Sequence, residues 1–261
     1  MLLPSQPVIH GPQPGATQPN ATPPVRTNLD HPGIEPSAAE APAPTNMDFI
    51  DVSHHQGDIN WDQYAASGKK LAICKLTEGS DFVDDKAAEN RAEMSKAGVE
   101  CGLYHFAGSG PAHTIGDATK EADFYLSQVG KMGATEFPVL DFEQADGLTP
   151  AQQASWISGW CTEVQDKTGK TPWLYTNEKL LHGMDADASK LTQYPLWLAD
   201  YNTSDRKDPP ASTPWKNLEA WQFTEKGNVA GVSGDVDGSY LYGPAPGAAP
   251  PTVPKPEPSK K

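Results

Sequence analysis

The chain of 261 residues is short of several ingredients. It has no apolar run approaching the roughly 18 residues that a membrane-spanning helix needs, so no such helix is expected. It has three cysteines, Cys74, Cys101 and Cys161, none of them in a C-x-x-C pair. That spacing argues against a zinc ribbon or redox motif, and the odd number against a disulfide framework, so buried free thiols are expected. Basic residues are scarce, with 20 Lys and Arg against 34 Asp and Glu, a formal net charge of -14. They never cluster beyond adjacent pairs, so neither nucleic acid nor an anionic membrane is an expected partner. Met1–Ser5 lack the basic and apolar segments of a secretory signal peptide. No H-x-H or H-E-x-x-H spacing occurs, and neither a metal nor another cofactor is expected from the scattered histidines His54, His55 and His105.

Large apolar side chains are also unevenly spread. All seven Trp, eight Tyr and seven Phe lie within residues 47–243, while 11 of the 26 prolines fall in residues 1–46 and 7 in residues 244–261. The ends have too little to bury to offset their chain entropy. The sequence therefore divides into a Pro-rich disordered arm or linker (1–46), a folded domain (47–243) and a Pro-rich tail (244–261), with the middle long enough for a sizeable core.

Within that middle, short apolar runs alternate with helical stretches. The runs are 49–53, 71–76, 102–106, 137–142, 172–175, 195–198, 219–223 and 232–237. The strongest helix is 149–169: Thr149 caps it, Pro150 suits its first position, Gln152 completes a capping box and Gly169 ends it. Trp156, Ile157, Trp160, Cys161 and Val164 then share one face. Eight strand-like runs with intervening helices give an α/β fold, an irregular TIM-like barrel of mostly parallel strands, with a doubly wound open sheet as the alternative. Residues 201–218 carry little helical periodicity, so the last helices are expected to be missing or reduced.

Polar residues recur where these runs end, which in such a barrel is where chemistry is placed. They are Asp51, Lys75 with Glu78, Tyr104, Asp141 with Glu143, Tyr175, Trp197 with Asp200 and Tyr201, Gln222, and Asp235 with Asp237. Asp141 and Glu143 lie two positions apart, so on a strand they point to one side. Like charges held close in a partly desolvated site push one pKa upward, which produces the protonated carboxyl that a glycosidase needs. The aromatic residues suit sugar binding, because flat rings stack on the C–H faces of pyranoses.

These motifs resemble those of the glycoside hydrolase family 25 lysozymes, the Chalaropsis-type N-acetylmuramidases. The resemblance is carried by Asp51-Val52-Ser53-His54-His55-Gln56-Gly57, Lys75-Leu76-Thr77-Glu78-Gly79, Tyr104-His105-Phe106, Asp141-Phe142-Glu143, Trp197-Leu198-Ala199-Asp200-Tyr201 and Trp221-Gln222-Phe223. It implies a (β/α)5(β)3-type barrel that cleaves the β-1,4 bond between N-acetylmuramic acid and N-acetylglucosamine in bacterial peptidoglycan; a monomer is expected. It implies Glu143 as general acid, Asp141 as the group that orients the acetamido group or stabilises positive charge, and Asp51 as a support or water-positioning group. Val236-Asp237 matches the final motif, with Ser239 where Asn is common. Asp235 has the same parity as Asp237 and competes for that role. Tyr104, Phe106, Lys75, Glu78, Tyr175, Trp197, Asp200, Tyr201, Gln222 and Asp235 form the expected substrate-binding set. Substrate-assisted cleavage with net retention is the favoured route, and a non-catalytic peptidoglycan-binding barrel is the alternative. Delivery to the wall would then use a holin, a virion or another secretion route.

Overall fold

The computed structural model describes residues 46–108, 116–134, 136–144 and 147–243. Both proline-rich segments assigned from the sequence lie outside these residues, apart from Asn46. The strands are β1 (Phe49–Val52), β2 (Leu71–Glu78), β3 (Phe82–Val83), β4 (Glu100–Phe106), β5 (Phe137–Asp141), β6 (Trp173–Asn177), β7 (Leu196–Ala199), β8 (Ala220–Gly227) and β9 (Val236–Leu241). The helices are α1 (Trp61–Ala66), α2 (Ala87–Ala97), α3 (Ala118–Met132), α4 (Pro150–Thr168) and α5 (Glu178–Met184). No helix among the described residues is long and apolar enough to cross a membrane.

Eight strands close into a barrel. The ring runs β1-β2-β4-β5-β6-β7-β8 with parallel pairing, and β9 closes it antiparallel to both β8 and β1. Strand β3 stands outside the ring as a hairpin partner of β2. As expected, no regular helix fills residues 200–219, and the helical layer is confined to the earlier crossovers.

The period-two alternation of the strands builds two cores. Inward-facing Phe49, Ile73, Val139, Trp173, Trp197 and Ala220 fill the barrel. The alternate residues, such as Ile50, Cys74, Leu103, Leu140, Leu174 and Leu198, face outward and pack beneath the helices. Gly102 is inward too, and a Cβ there would collide with the Phe137 ring. Cys74, Cys101 and Cys161 are buried free thiols.

Helix α4 forms as its sequence dictates. The Thr149 side chain accepts from the Gln152 amide, Gln152 reaches back to the Thr149 amide, and Gly169 closes the helix at φ 70. Trp156, Ile157, Trp160, Cys161 and Val164 are all buried.

The eighth apolar run is corrected by the structure. Its strand spans Val236–Leu241 rather than 232–237, because Gly234 at φ 82 turns the chain before pairing begins. Its antiparallel sense puts its first residues, rather than its last, at the mouth where the parallel strands end.

Candidate active site

At that mouth lies a cavity of about 860 Å³ lined by residues from β1, β2, β4, β5, β6, β7 and β9. Its position follows from parity. On four strands an inward apolar residue is succeeded two places on by a polar or aromatic one: Phe49 by Asp51, Ile73 by Lys75, Val139 by Asp141, Trp173 by Tyr175. The same alternation that fills the barrel therefore lifts these side chains into the cavity above the core.

Four carboxylates share this cavity: Asp51, Asp141, Glu143 and Asp237. Asp51 and Asp237 are direct cross-strand partners on β1 and β9. Glu143 lies two residues beyond Asp141, just past the end of β5, and the two side chains hydrogen-bond each other. Two unit charges about 4 Å apart repel by roughly 4 kcal/mol at an effective dielectric near 20. A cluster of this kind takes up protons instead of carrying four charges.

The individual groups follow that logic. Burial pushes the Asp141 carboxyl well above the carboxylate range, the charges of Glu143 and Asp51 add to the rise, and Lys75 opposes it. Burial likewise raises Asp51, with Asp237 and Glu143 contributing and a hydrogen bond from Gln222 opposing. Asp237 is pushed up from 3.8 to about 6, by burial first and then by Glu143 and Glu225, against a hydrogen bond with Asp51 that lowers it.

Neutral and cationic groups hold the acids in place. Gln222 on β8 donates from Nε2 to Asp51 Oδ2 at 2.9 Å, and its Oε1 accepts from the Tyr175 hydroxyl at 2.8 Å and from the Tyr201 hydroxyl at 2.5 Å. Lys75, itself buried, pairs with Glu78 at 2.7 Å, and its ammonium lies 5.0 Å from the Phe106 ring centroid. Asn177 Nδ2 donates to the Glu143 carbonyl at 3.1 Å, tying the end of β5 to β6. Asp141 Oδ1 is buried and accepts no hydrogen bond from a described residue.

Most of the expected set is thus brought together. Lys75, Glu78, Tyr104, Phe106, Tyr175 and Trp197 line the cavity beside the four acids. Gln222 and Tyr201 are tied to Asp51 and Tyr175 from behind that lining.

Asp200 and Asp235 are not brought in. Asp200 follows the last residue of β7 and has the outward parity. Its Oδ1 accepts from the Asn202 amide at 2.9 Å and side chain at 2.7 Å, closing a turn. Asp235 is exposed in the turn after Gly234, before β9 begins, so strand parity does not reach it.

The cavity also recruits residues not expected in it as sugar contacts, namely Ser53, His54, His55, Phe82 and Gln144. Phe82 belongs to a two-residue strand, too short to leave a periodic signal.

The family model for glycosyl hydrolases family 25 matches residues 50–232. The chain belongs to glycosyl hydrolase family 25. It is similar to lysozyme M1 of Streptomyces globisporus, at 31% identity over 78% of this chain and 71% of that protein. It is similar to the N,O-diacetylmuramidase of Chalaropsis sp., at 27% identity over 72% of this chain and 94% of that one. Among solved structures it resembles the bacterial lysozyme from Streptomyces coelicolor, with a TM-score of 0.64 and 29% identity over 75% of this chain and 92% of that one. Family 25 membership makes this barrel a glycoside hydrolase.

Other clusters of the family 25 barrel have structural partners. His105 is fully buried, with Nδ1 2.8 Å from Thr77 Oγ1 and Nε2 3.1 Å from Glu121 Oε2, and burial pushes its pKa down. It stacks on Trp160 under the helices, so it cannot join His54 and Asp51 around an ion. His54, Asp84 and Asp85 have ligand atoms within 4.8 Å of one another. His54 Nδ1 and Asp84 Oδ2 are 2.7 Å apart, a hydrogen-bond separation. An ion between them would hold each near 2.0–2.2 Å and spread the pair wider. A second cavity, of about 750 Å³, opens where β4, β5 and β6 begin and holds the Arg91–Glu136 ion pair. It is at the barrel end associated with stability.

Proposed function

We propose that this family 25 hydrolase is a lysozyme of the N-acetylmuramidase type, which cleaves the β-1,4 bond between N-acetylmuramic acid and N-acetylglucosamine in bacterial peptidoglycan. The observation that carries the reading is the convergence of Asp51, Asp141, Glu143 and Asp237 in one cavity walled by aromatic rings. An acidic cavity that retains protons supplies acid catalysis, and rings such as Tyr104, Tyr175 and Trp197 give flat surfaces for sugars. The similarity to lysozyme M1 and to an N,O-diacetylmuramidase supports the same substrate.

In this mechanism Glu143 donates its proton to the glycosidic oxygen as the bond from that oxygen to C1 breaks. The carbonyl oxygen of the substrate's own acetamido group attacks C1. Asp141 accepts the acetamido N–H, a role suited to its unsatisfied Oδ1. Water then attacks C1 from the face that the leaving group vacated, giving its proton to Glu143 and releasing the product with net retention. Asp51 and Asp237 position that water and stabilise the positive charge that develops on the sugar.

The test is product analysis on purified peptidoglycan with wild type and Glu143→Gln side by side. Wild type should release new reducing ends at muramic acid. The variant should fold normally and lose about 10²–10⁴-fold in rate, the usual contribution of general acid catalysis. Near-normal turnover by the variant would remove Glu143 from the acid role. Absence of new reducing ends with wild type would leave a glycan-binding barrel instead of a muramidase.

A further inference from the structure

The three buried cysteines are not alike. Cys161 sits on the buried face of α4, where it behaves as a small apolar side chain. Cys74 and Cys101 form a pair. They lie on β2 and β4, which run side by side in parallel. The register sets Ala72 opposite Cys101 and Cys74 opposite Leu103, so the two cysteines are diagonal neighbours on adjacent strands. Both belong to the core beneath the helices, and their Sγ atoms are in contact at 3.7 Å.

Access separates the two sulfurs. Cys74 is fully buried, while Cys101 lines the cavity of about 750 Å³ at the foot of the barrel. Glu100, Phe137 and Trp173, the first residues of β4, β5 and β6, line it as well, so it opens at the end opposite the acids. The hydrogen bond with Cys101, and then burial, push the Cys74 thiol upward, so Cys74 keeps its proton. Thiol–disulfide exchange needs one sulfur that a reagent can reach and a second in contact with the first. Cys101 is the reachable sulfur and Cys74 the one behind it.

We propose that Cys74 and Cys101 form a dithiol site at the base of the barrel, which reacts with a small disulfide entering the cavity and becomes a disulfide strap between β2 and β4. In the first step Cys101, as its thiolate, attacks one sulfur of the incoming disulfide. The reagent's S–S bond breaks, and the leaving half takes up the proton that Cys101 has lost. In the second step the Cys74 sulfur attacks Cys101 Sγ. The mixed disulfide breaks, and the second half leaves as a thiol carrying the Cys74 proton. The protein gives up two hydrogens and two electrons, and the reagent gains them. The sulfurs must close from 3.7 Å to the roughly 2.05 Å of a disulfide, a short side-chain movement between adjacent strands. The strap ties position 74 to position 101 and so removes freedom from the unfolded chain.

The experiment incubates the folded full chain with glutathione disulfide, alkylates the remaining thiols in denaturant and weighs the protein before and after digestion. Wild type should lose two hydrogens, keep one alkylatable thiol at Cys161, and yield peptides joined through Cys74 and Cys101. Cys74→Ala should stop after the first step, holding one glutathionyl group on Cys101. Cys101→Ala should take up none, because neither remaining thiol reaches the cavity. Circular dichroism before treatment checks the fold of each variant, and Cys74→Ser or Cys101→Ser serves where an Ala variant is unfolded. The oxidised wild type should melt about 5 °C above the reduced protein, the effect of a loop closed in the unfolded chain less the strain of closing it. Dithiothreitol should reverse the rise. Three alkylatable thiols after treatment of wild type would overturn the site. So would modification of Cys161 as readily as of Cys101, or a glutathionyl group on Cys101→Ala. An unchanged Tm in the cross-linked protein would overturn the strap.

Discussion

Replacing Asp237 by Asn should stabilise this enzyme at neutral pH while impairing it. The folded protein raises the Asp237 pKa from 3.8 to about 6, through burial and the charges of Glu143 and Glu225. A carboxyl with a raised folded-state pKa binds its proton more tightly folded than unfolded. Its contribution to stability is present in full below pH 3.8 and is lost as pH rises to about 6. Each pH unit across that window is worth about 1.36 kcal/mol, so ionised Asp237 costs roughly 3 kcal/mol at pH 7. Asn cannot ionise and escapes the cost. Urea denaturation at pH 4, 5, 6 and 7 should give a variant within about 1 kcal/mol of wild type at pH 4 and about 2–3 kcal/mol more stable at pH 7. Hydrolysis of peptidoglycan should fall in the same variant, because a group retained at such a cost at neutral pH is one that function requires. A stability difference that stayed constant from pH 4 to pH 7 would refute the reasoning, since it would mean that Asp237 titrates alike in the folded and unfolded chain.

Two further outcomes test the surroundings of the acids. Gln222→Ala removes the group that bridges Asp51, Tyr175 and Tyr201, so denaturation should show a loss of about 1–3 kcal/mol. Asp51 should then titrate at still higher pH, because the hydrogen bond that opposes its rise is gone, and a shift of the acidic limb of the pH–rate profile would report it. Thr149→Ala removes the α4 cap and should cost about 1 kcal/mol by thermal or chemical denaturation with kcat unchanged.

The sequence and the structure agree most closely where local chemistry and burial act together. Helix α4 is one such place, since its cap, first proline, apolar face and terminal glycine all lie within a single segment. The inward-facing acids are another. Asp51 and Asp141 each follow an inward apolar residue by two positions, so strand parity alone assigns them to the mouth. Beyond a strand's end parity no longer binds: Glu143, just past β5, still joins Asp141 in the cavity, but two other acids do not. Asp200 and Asp235 lie past or before their strands, and turn geometry overrides parity there. Phe82 was not legible at all, because a two-residue hairpin strand has no period to read.

The sequence by itself determined that this is an α/β barrel with an acidic, aromatic-rich mouth, because side-chain periodicity and run-ending polar residues are properties of neighbouring positions. Only the tertiary structure decided how those residues meet. It turned β9 antiparallel so that Asp237 faces Asp51, and it placed Gln222 between two tyrosines and an acid. It also joined His54 to Phe82 through a buried Asp84. These are relations across 21 to 186 positions of sequence. They are fixed by barrel closure and burial, which no local pattern encodes.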